Sequence, residues 1–377
     1  MKTNIPERIA ALREAMKQQK VDAYIIPSSD PHLSEYPADR WKSREWISGF
    51  TGSAGTIVVT ADKAGLWTDS RYFLQAASQL EGSGIELYKL ALPETPSITE
   101  FLLHELHTGQ AVGLDGQTYS AAEASALANK LSRKEIKLDT SADLIEGIWK
   151  DRPAVPGNPI FEMPEALSGA SVHEKLDLIN NQLRSEGADC LILAALDEIA
   201  WTFNIRGTDV TYNPVVVSYA FVSEDESVLF IKPEKLTAEI TEHLKKEGVT
   251  LAEYSMIQRY LSRLPENSRV FVDMNKTNVS LYDAIPGSCT IVEGISPANH
   301  LKSIKNETEI KGFQNAVVKD GVALTKFYIW LEKQMAEGAQ VTEISAAEKL
   351  TALRAEQPQY IMDSFGTICG YAEHGAI

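Results

Sequence analysis

Two stretches of the chain concentrate side chains that could contact a peptide or another subunit. Residues 34–55 combine tyrosine, tryptophan, arginine and acidic side chains with several glycines, and residues 66–73 read LWTDSRYF. Aromatic and arginine residues are enriched where proteins bind their partners. The same composition also suits a loop packed against a sheet, with Asp69 and Arg71 as a local ion pair. Residue types alone leave both interpretations open.

The familiar sequence signatures of catalysis are absent. The chain contains no P-loop, no G-x-G-x-x-G, no H-E-x-x-H and no G-x-S-x-G. His104 and His107 have a spacing that two metal ligands on a helix could have, but the flanking sequence offers no third ligand, which disfavours a metal role. No partner can be identified for His32, His173, His243 or His300. Motifs alone therefore identify no catalytic centre.

A third polar stretch lies further along the chain and reads DEIAWTFNIRGTDV over residues 197–210. A polar loop must satisfy the hydrogen-bonding groups of its own backbone. We therefore interpret its acidic residues and Arg206 as a structural hydrogen-bonded network.

The elements that must position these stretches recur twice. A helix with an apolar stripe at Ile9, Leu12 and Met16 leads into a strand at 21–26, and the same pattern returns over 176–193. The match continues through strands at 58–67 and 221–230, at 84–87 and 248–251, and at 112–115 and 270–273. Helices that alternate with short β-branched strands predict mixed sheets flanked by helices. Five elements repeated in order predict a duplicated α/β domain.

Sequence signals also mark the end of each copy. Pro153, Pro156, Pro159 and Pro164 predict an extended linker between the copies. After the second copy, Asn306 and Glu309 suit a capping box, the stripe from Ile310 to Met335 predicts a long helix, and a further helix is predicted near Thr342. Two helices cannot bury a core of their own, so they either dock on the second copy or begin a third domain.

Composition excludes several classes of protein. The chain has 377 residues with 36 basic and 52 acidic side chains, a formal net charge of −16. This balance argues against nucleic acid or an anionic membrane as the main partner. The N-terminus has no apolar signal region and no apolar run approaches the ~18 residues of a membrane span. Three scattered cysteines suit buried, reduced thiols, so a cytoplasmic protein is expected.

Four strings in this chain closely resemble the aminopeptidase P family, the Xaa-Pro aminopeptidases with creatinase-like N-terminal domains. They read SEYPADRWKSREWISGFTGSAGTIVVT, LWTDSRYFLQA, ALDEIAWTFNIRGTDVTYNP and LKSIKNETEI. The resemblance spans essentially the whole chain and implies the long, three-domain form. The fold class it implies is α/β, with two tandem creatinase-like domains followed by the first helices of a truncated α+β pita-bread domain. We expect domain I at 1–152, a Pro-rich linker at 153–166, domain II at 167–300 and an incomplete catalytic domain at 301–377.

The resemblance also implies an activity. Family members release the N-terminal residue from peptides with proline second, using two divalent metal ions, commonly manganese, held by Asp, Asp, His, Glu and Glu. In the family these ligands, and a substrate-side histidine, lie beyond the segment that resembles residues 364–377, so His374 receives no role. We therefore expect this chain to be the non-catalytic part of a longer metalloaminopeptidase, to contain no metal ligands and no catalytic residue, and to be inactive alone.

The implied partners are Xaa-Pro peptides and a second subunit in a cytoplasmic homodimer. Tyr36, Asp69 and Arg71 are our substrate-side or interface candidates, because they cluster with aromatic residues of an exposed type and because the family forms oligomers. The alternative is a non-enzymatic creatinase-like module in which Tyr36, Trp41 and Trp46 bind a peptide or protein. Creatinase or prolidase proper is less favoured, since those relatives typically carry one N-terminal domain.

Overall fold

Apolar stripes and β-branched runs fold into two units with the same order of elements. The computed structural model of the protein describes residues 4–375. The helices of the first unit are α1 (Ile5–Gln19), α2 (Ser43–Ser48), α3 (Phe73–Gln79), α4 (Ile98–Glu105), α5 (Ala121–Leu131) and α6 (Leu144–Ile148). Its strands are β1 (Ala23–Ile26), β2 (Thr56–Thr60), β3 (Ala64–Thr68), β4 (Glu86–Lys89), β5 (Ala111–Leu114) and β6 (Lys137–Asp139).

The second unit and the segment after it contain the remaining elements. The helices of the second unit are α7 (Glu165–Ser168), α8 (Val172–Glu186), α9 (Leu196–Thr202), α10 (Ala238–Lys246), α11 (Ile257–Leu261), α12 (Val279–Tyr282) and α13 (Pro297–Ser303). Its strands are β7 (Phe161–Glu162), β8 (Cys190–Leu193), β9 (Ile205–Arg206), β10 (Tyr219–Ser223), β11 (Ser227–Phe230), β12 (Val249–Ala252), β13 (Arg269–Val272) and β14 (Thr290–Glu293). Two further helices come after it, α14 (Glu307–Ala336) and α15 (Glu343–Ala355).

The two six-stranded sheets have the same topology. Their strand orders are β4–β3–β2–β1–β5–β6 and β12–β11–β10–β8–β13–β14. In each sheet one central strand, β1 or β8, runs antiparallel to one neighbour and parallel to the other. The predicted duplication of an α/β domain with a mixed sheet is therefore confirmed.

Each sheet is covered by helices on both faces, because apolar side chains project from both sides of its central strands. In the first unit, the predicted stripe of α1 (Ile9, Leu12 and Met16) packs on one face, and Phe101 of α4 packs with Leu127 of α5 on the other. Burial on both faces explains why the central strands read as continuous apolar runs rather than as alternating ones.

The connection between the units is more ordered than an extended linker. Residues 152–160 have no helix or strand, but Ile160 is buried in the second core. The rest of the predicted linker forms β7, which pairs with β9, and the start of α7. Prolines exclude a long helix here, but they do not prevent two-residue pairing or burial of an apolar side chain. The domain boundaries themselves stay a prediction.

Helices α14 and α15 begin where the sequence predicts. Asn306 and Glu309 form the capping box of α14, and Thr342 caps α15. The two helices pack against each other, and α14 also contacts α7 of the second unit. Ala376 and Ile377, the end of the segment 364–377, lie outside the described residues.

The cysteines differ from the expectation of three buried thiols. Cys190 is buried in β8, Cys289 is half-buried and Cys369 is exposed. Cys369 lies in the segment after α15, outside any helix or strand, so no sheet or core covers it.

Equivalent loops of the two units pair with each other. Each loop follows the corresponding strand, β5 or β13, and its first residue is an aspartate, Asp115 or Asp273. The backbone amides of Ala121 and Ala122 donate to the carbonyls of Thr277 and Met274 at 2.9 and 3.0 Å. In return, the amides of Val279 and Ser280 donate to Tyr119 and Gly116 at 2.9 and 3.1 Å. The contact is thus nearly two-fold symmetric, as the contact between identical subunits is.

We predict that Gly116→Ala lowers the free energy of unfolding by about 1–3 kcal/mol, the usual cost of overpacking. A Cβ atom at this position would lie 2.6 Å from the carbonyl oxygen of Thr140 and 2.7 Å from Oγ of Ser280. Urea unfolding followed by circular dichroism measures the effect. Gly147→Ala in α6 is the matched control, since no atom lies within 4 Å of its added methyl. Equal stability of Gly116→Ala and the wild type would contradict the close approach of the two loops.

Candidate functional site

Asp69 and Arg71 form a fixed ion pair on the surface of the first unit. Asp69 ends the connection from β3 and caps the short 3₁₀ turn Ser70–Tyr72. Its Oδ1 accepts from Nε of Arg71 at 2.8 Å, and its Oδ2 accepts from Nη2 at 2.9 Å. These hydrogen bonds hold the pKa of the Asp69 carboxyl below its usual range. The structure thus contains the local ion pair, and the Arg71 side chain is still 59% exposed.

Tyr36 makes a contact of its own, with the second unit. Its ring meets the ring of Tyr212, from the second unit, edge to face at a centroid distance of 5.6 Å. The neighbouring residue Glu35 helps Asp69 to raise the pKa of Arg71, so its carboxylate lies within electrostatic range of the guanidinium. The ion pair and the tyrosine therefore make separate contacts, and Glu35 is the link between them.

Tyr212 is a residue that motif reasoning missed. Its backbone φ is +66°, a left-handed conformation that is strained for a bulky residue. Its hydroxyl approaches the segment after α15, since a Cβ on Gly366 would lie 3.2 Å from Oη. Tyr36, Tyr212 and Gly366 thus join three parts of the chain. Tyr212 occurs in one of the strings that carry the resemblance, but nothing in its local sequence indicates the contact.

The tryptophans and Arg44 of the first stretch support the fold rather than a binding surface. Trp41 is buried in a cluster between the units, and Trp46 stacks on Trp149 at a centroid distance of 5.1 Å. Arg44 is buried and donates to the carbonyl oxygens of Phe50 and Gly52 at 2.6 and 2.5 Å. Burial lowers the pKa of Arg44 to about 10. A peptide-binding surface built on Trp41 and Trp46 therefore has no support in the structure.

The glycines after Phe50 form the turn before β2. A Cβ on Gly52 would lie 2.3 Å from the Phe50 ring and 2.8 Å from the Tyr72 ring. This turn brings Ser53 to Tyr72, where the two hydroxyl oxygens are 2.5 Å apart. Packing of the aromatic rings therefore demands glycine at position 52.

His32 is the histidine whose role the sequence does not reveal. It is 2% exposed and lies between the units, where its Nδ1 is 2.8 Å from the carbonyl oxygen of Ala194. Its Nε2 is 2.9 Å from the hydroxyl of Tyr254, and its ring packs on Tyr219 at 4.4 Å. Burial lowers the pKa of His32. These partners come from the other unit, so no local spacing could indicate them.

The acidic residues and Arg206 of the polar stretch in the second unit make structural contacts, but these are separate and do not form the single network predicted. The Asp209 carboxylate pairs with Lys235, and both side chains are buried. Arg206 donates to the carbonyls of Ala200 and Ile205 at 2.6 and 2.9 Å. Burial raises the pKa of Glu198 to about 7. These contacts tie the turn after α9 to the backbone of α9 and to Lys235.

No metal centre is assembled within the described part of the chain. His104 contacts Glu105 at 2.9 Å, and His107 is exposed. Across residues 4–375, no group of three or more His, Cys, Asp and Glu side chains could hold a metal ion. His374 contacts Glu343, and this pair supplies only two groups that could bind a metal ion. The donor set of a two-metal site is therefore not present in these residues. Within the same residues, no helix is long and apolar enough to cross a membrane.

Helix α14 exposes a broad apolar surface. Of its 30 residues only Ala323 is buried. Large apolar side chains that are at least half exposed include Phe313, Val317, Val318, Tyr328, Ile329 and Met335. Several large apolar side chains exposed on one helix usually indicate an interaction surface.

Comparison with known proteins gives the family. Two matches to the Creatinase/Prolidase N-terminal domain cover residues 8–148 and 151–309. The chain is 38% identical over 99% of its length to a probable Xaa-Pro aminopeptidase P of Laccaria bicolor, and 36% identical over its whole length to the Xaa-Pro aminopeptidase ApepP of Drosophila melanogaster. The chain belongs to the aminopeptidase P family. It spans about three-fifths of these relatives, 59% and 63% of their respective lengths.

A solved structure extends the match to three dimensions. The X-prolyl aminopeptidase of Caenorhabditis elegans, described as a cytosolic enzyme with a di-nuclear active site, superposes with a TM-score of 0.90 at 30% identity. The superposition covers 97% of this chain and 62% of the nematode enzyme. The two units are thus tandem creatinase-like domains of this family, which we call domain I and domain II.

We predict that His32 makes the stability of the protein depend on pH. Because burial lowers the pKa of folded His32, the unfolded chain takes up a proton first as the pH falls below about 6.5. The stability that wild-type His32 confers relative to His32→Gln should therefore fall by about 1 kcal/mol from about pH 7.5 to pH 5.5. Urea unfolding at both pH values measures this, and groups common to both proteins cancel.

His107→Gln is the control for this experiment, because its side chain is exposed. A difference between wild type and His32→Gln that stays constant across this pH range would contradict a buried neutral histidine.

Proposed function

We propose that this chain is the non-catalytic N-terminal portion of a metal-dependent Xaa-Pro aminopeptidase, which releases the first residue from peptides with proline second. The observation that carries the proposal is the agreement of nearly the whole chain with the nematode X-prolyl aminopeptidase, at a TM-score of 0.90. The relatives named as Xaa-Pro aminopeptidases support it over the same length.

We propose that the metal centre of the whole protein lies in a region equivalent to the part of its relatives that this chain does not match. The nematode enzyme is described as having a di-nuclear active site, and we propose two divalent ions, both Mn²⁺, for the whole protein. When bound, such ions polarise a scissile carbonyl and activate water. The described residues do not fit the ions, so we assign no step of the reaction to them.

The apolar surface of α14 is where we propose that the remaining part of the enzyme packs. Val317, Tyr328 and Ile329 are each more than half exposed. Burial of apolar area contributes about 25 cal/mol per Å², so covering several such side chains would stabilise a third domain substantially. Residues 301–377 would then form the beginning of the pita-bread domain, with domain I at 1–152, the linker at 153–166 and domain II at 167–300.

We further propose that domain I contributes to a homodimer or to the peptide-binding side of the active site. The exposed guanidinium of Arg71 is held in place by Asp69, and Tyr36 packs where domains I and II meet. A charged group whose orientation is already fixed loses little entropy when it binds. The cytosolic description of the nematode enzyme supports a cytoplasmic location.

We predict that the purified 377-residue chain does not release the N-terminal residue of an Xaa-Pro peptide such as Arg-Pro-Pro. It should also bind less than one Mn²⁺ per chain in equilibrium dialysis, because the described residues offer no cluster of three or more ligands. The whole protein, expressed from its full gene, is the positive control for both measurements. Clear turnover by the 377-residue chain would overturn the proposal.

We predict that Arg71→Ala in the whole enzyme raises KM for Xaa-Pro peptides roughly tenfold or weakens the dimer, because a charged contact is lost. The exposed ion pair should add little to the stability of the 377-residue chain. Arg133→Ala is the matched control, since Arg133 is also exposed. Kinetics and sedimentation measure the two effects. Wild-type KM and wild-type dimerisation together would remove Arg71 from the proposed site.

A further inference from the structure

A basic cleft lies where α14 leaves domain II. The cleft has a volume of about 420 Å³ and is lined by residues of α8, α9 and α14. Its apolar wall includes Trp201 from α9 and Phe313 from α14. Although the whole chain carries a net charge of −16, the charged residues of the lining are mostly basic. They are Lys175, Arg206, Lys302 and Lys305 against Asp197 and Glu309. The cleft therefore combines an apolar surface with a local positive charge.

The positive charge begins with Lys175, which is 1% exposed. Its Nζ donates to the carbonyl of Trp201 at 2.8 Å and to Oδ1 of Asn204 at 2.5 Å. It also lies 4.7 Å from the centroid of the Trp201 ring. All of these partners are uncharged, and burial lowers the pKa of Lys175 to about 8. Lys175 is thus a buried basic residue whose direct hydrogen-bond partners carry no charge.

Two further basic residues of the cleft, Arg206 and Lys305, are half-buried and also donate to uncharged groups. Arg206 donates to the carbonyls of Ala200 and Ile205, and Lys305 donates to the carbonyl of Lys302. Among the ion pairs of residues 4–375, none involves Lys175, Arg206 or Lys305. Lys302, the fourth basic residue of the lining, is already paired with Asp197.

One carboxylate remains to balance these three cations. Glu309 raises the pKa of both Lys175 and Arg206, so its charge reaches them. Its oxygens, however, accept from Nε1 of Trp201 at 3.3 Å and from the amide of Asn306 at 2.9 Å. Buried charges are normally paired, because leaving them unpaired in a low dielectric is costly. The cleft is therefore short of negative charge.

We propose that this cleft binds an organic carboxylate with an apolar body. The carboxylate would lie among Lys175, Arg206 and Lys305, and the apolar body would pack on Trp201 and Phe313. A free phosphate is less suited, because it offers nothing to the apolar wall. Two sources share the required chemistry: the C-terminal residue of a peptide and a free carboxylic acid. The inference concerns the described residues alone, so it does not depend on the proposed enzymatic function.

Binding of three small probes to the 377-residue chain tests the proposal. N-acetyl-phenylalanine carries the carboxylate, N-acetyl-phenylalaninamide carries the same ring without charge, and 3-phenylpropionate carries ring and carboxylate without the amide. Titration calorimetry should show that N-acetyl-phenylalanine binds at least tenfold more tightly than its amide. Stronger binding of N-acetyl-phenylalanine than of 3-phenylpropionate identifies a peptide terminus, whereas equal binding identifies a free acid, and both support the shared chemistry.

Substitutions in the cleft, with a control on α10, test where the probes bind. Lys305→Met should weaken carboxylate binding several-fold, and Lys246→Met, an exposed lysine on α10 paired with Glu242, should not. Trp201→Phe should remove the change in tryptophan fluorescence that accompanies binding. Lys175→Met should have the largest effect, and circular dichroism checks that it folds. If it does not fold, Lys305→Met carries the test.

Three results would overturn the proposal. They are equal affinity for the acid and its amide, binding unaffected by Lys305→Met, and absence of saturable binding up to about 5 mM, near the weak limit of specific small-ligand affinity.

Discussion

The position of domain I relative to domain II depends on backbone hydrogen bonds between two equivalent loops. Each loop donates two amides to the other, through Ala121 and Ala122 on one side and Val279 and Ser280 on the other. Backbone bonds of this kind require close approach but no particular side chain, which is why Gly116 matters at the contact. The buried cluster around Trp41 and Val217 then excludes water beside it. Together, these contacts explain how two separate sheets become one scaffold.

The candidate functional surfaces lie at two boundaries, one between domains I and II and one between domain II and α14. Tyr36 reaches Tyr212 across the domains, and the hydroxyl of Tyr212 approaches Gly366 in the segment after α15. The basic cleft lies at the next boundary, between domain II and α14. A change in either boundary would therefore alter the placement of α14, and with it any domain that packs on that helix. The position of α14 is set by its contacts with α7 of domain II and with α15.

Local sequence predicts the helices and strands well, but it predicts the contacts between distant residues poorly. The stripe of α1, the capping box of Asn306 and Glu309, and the strands of each copy can be found because each depends on neighbours within a few residues. His32 cannot be interpreted in this way, since its partners Ala194 and Tyr254 are 162 and 222 residues away in sequence. The burial of Trp41 and the half-burial of Trp46 are equally hard to predict, because aromatic residues suit surfaces and cores alike. The proposed function rests on the family resemblance, because no periodicity could have indicated it.

Because the two paired loops belong to one polypeptide, their contact can be weaker than a contact between separate chains. Between separate chains, such a contact would form only above a concentration set by its dissociation constant. Here residues 152–160 tether the partners, and a short tether produces an effective concentration on the order of millimolar. Contacts that would be too weak to hold a dimer in dilute solution are therefore sufficient to hold the two domains together. Fusion of the two copies makes their association independent of how much protein is present.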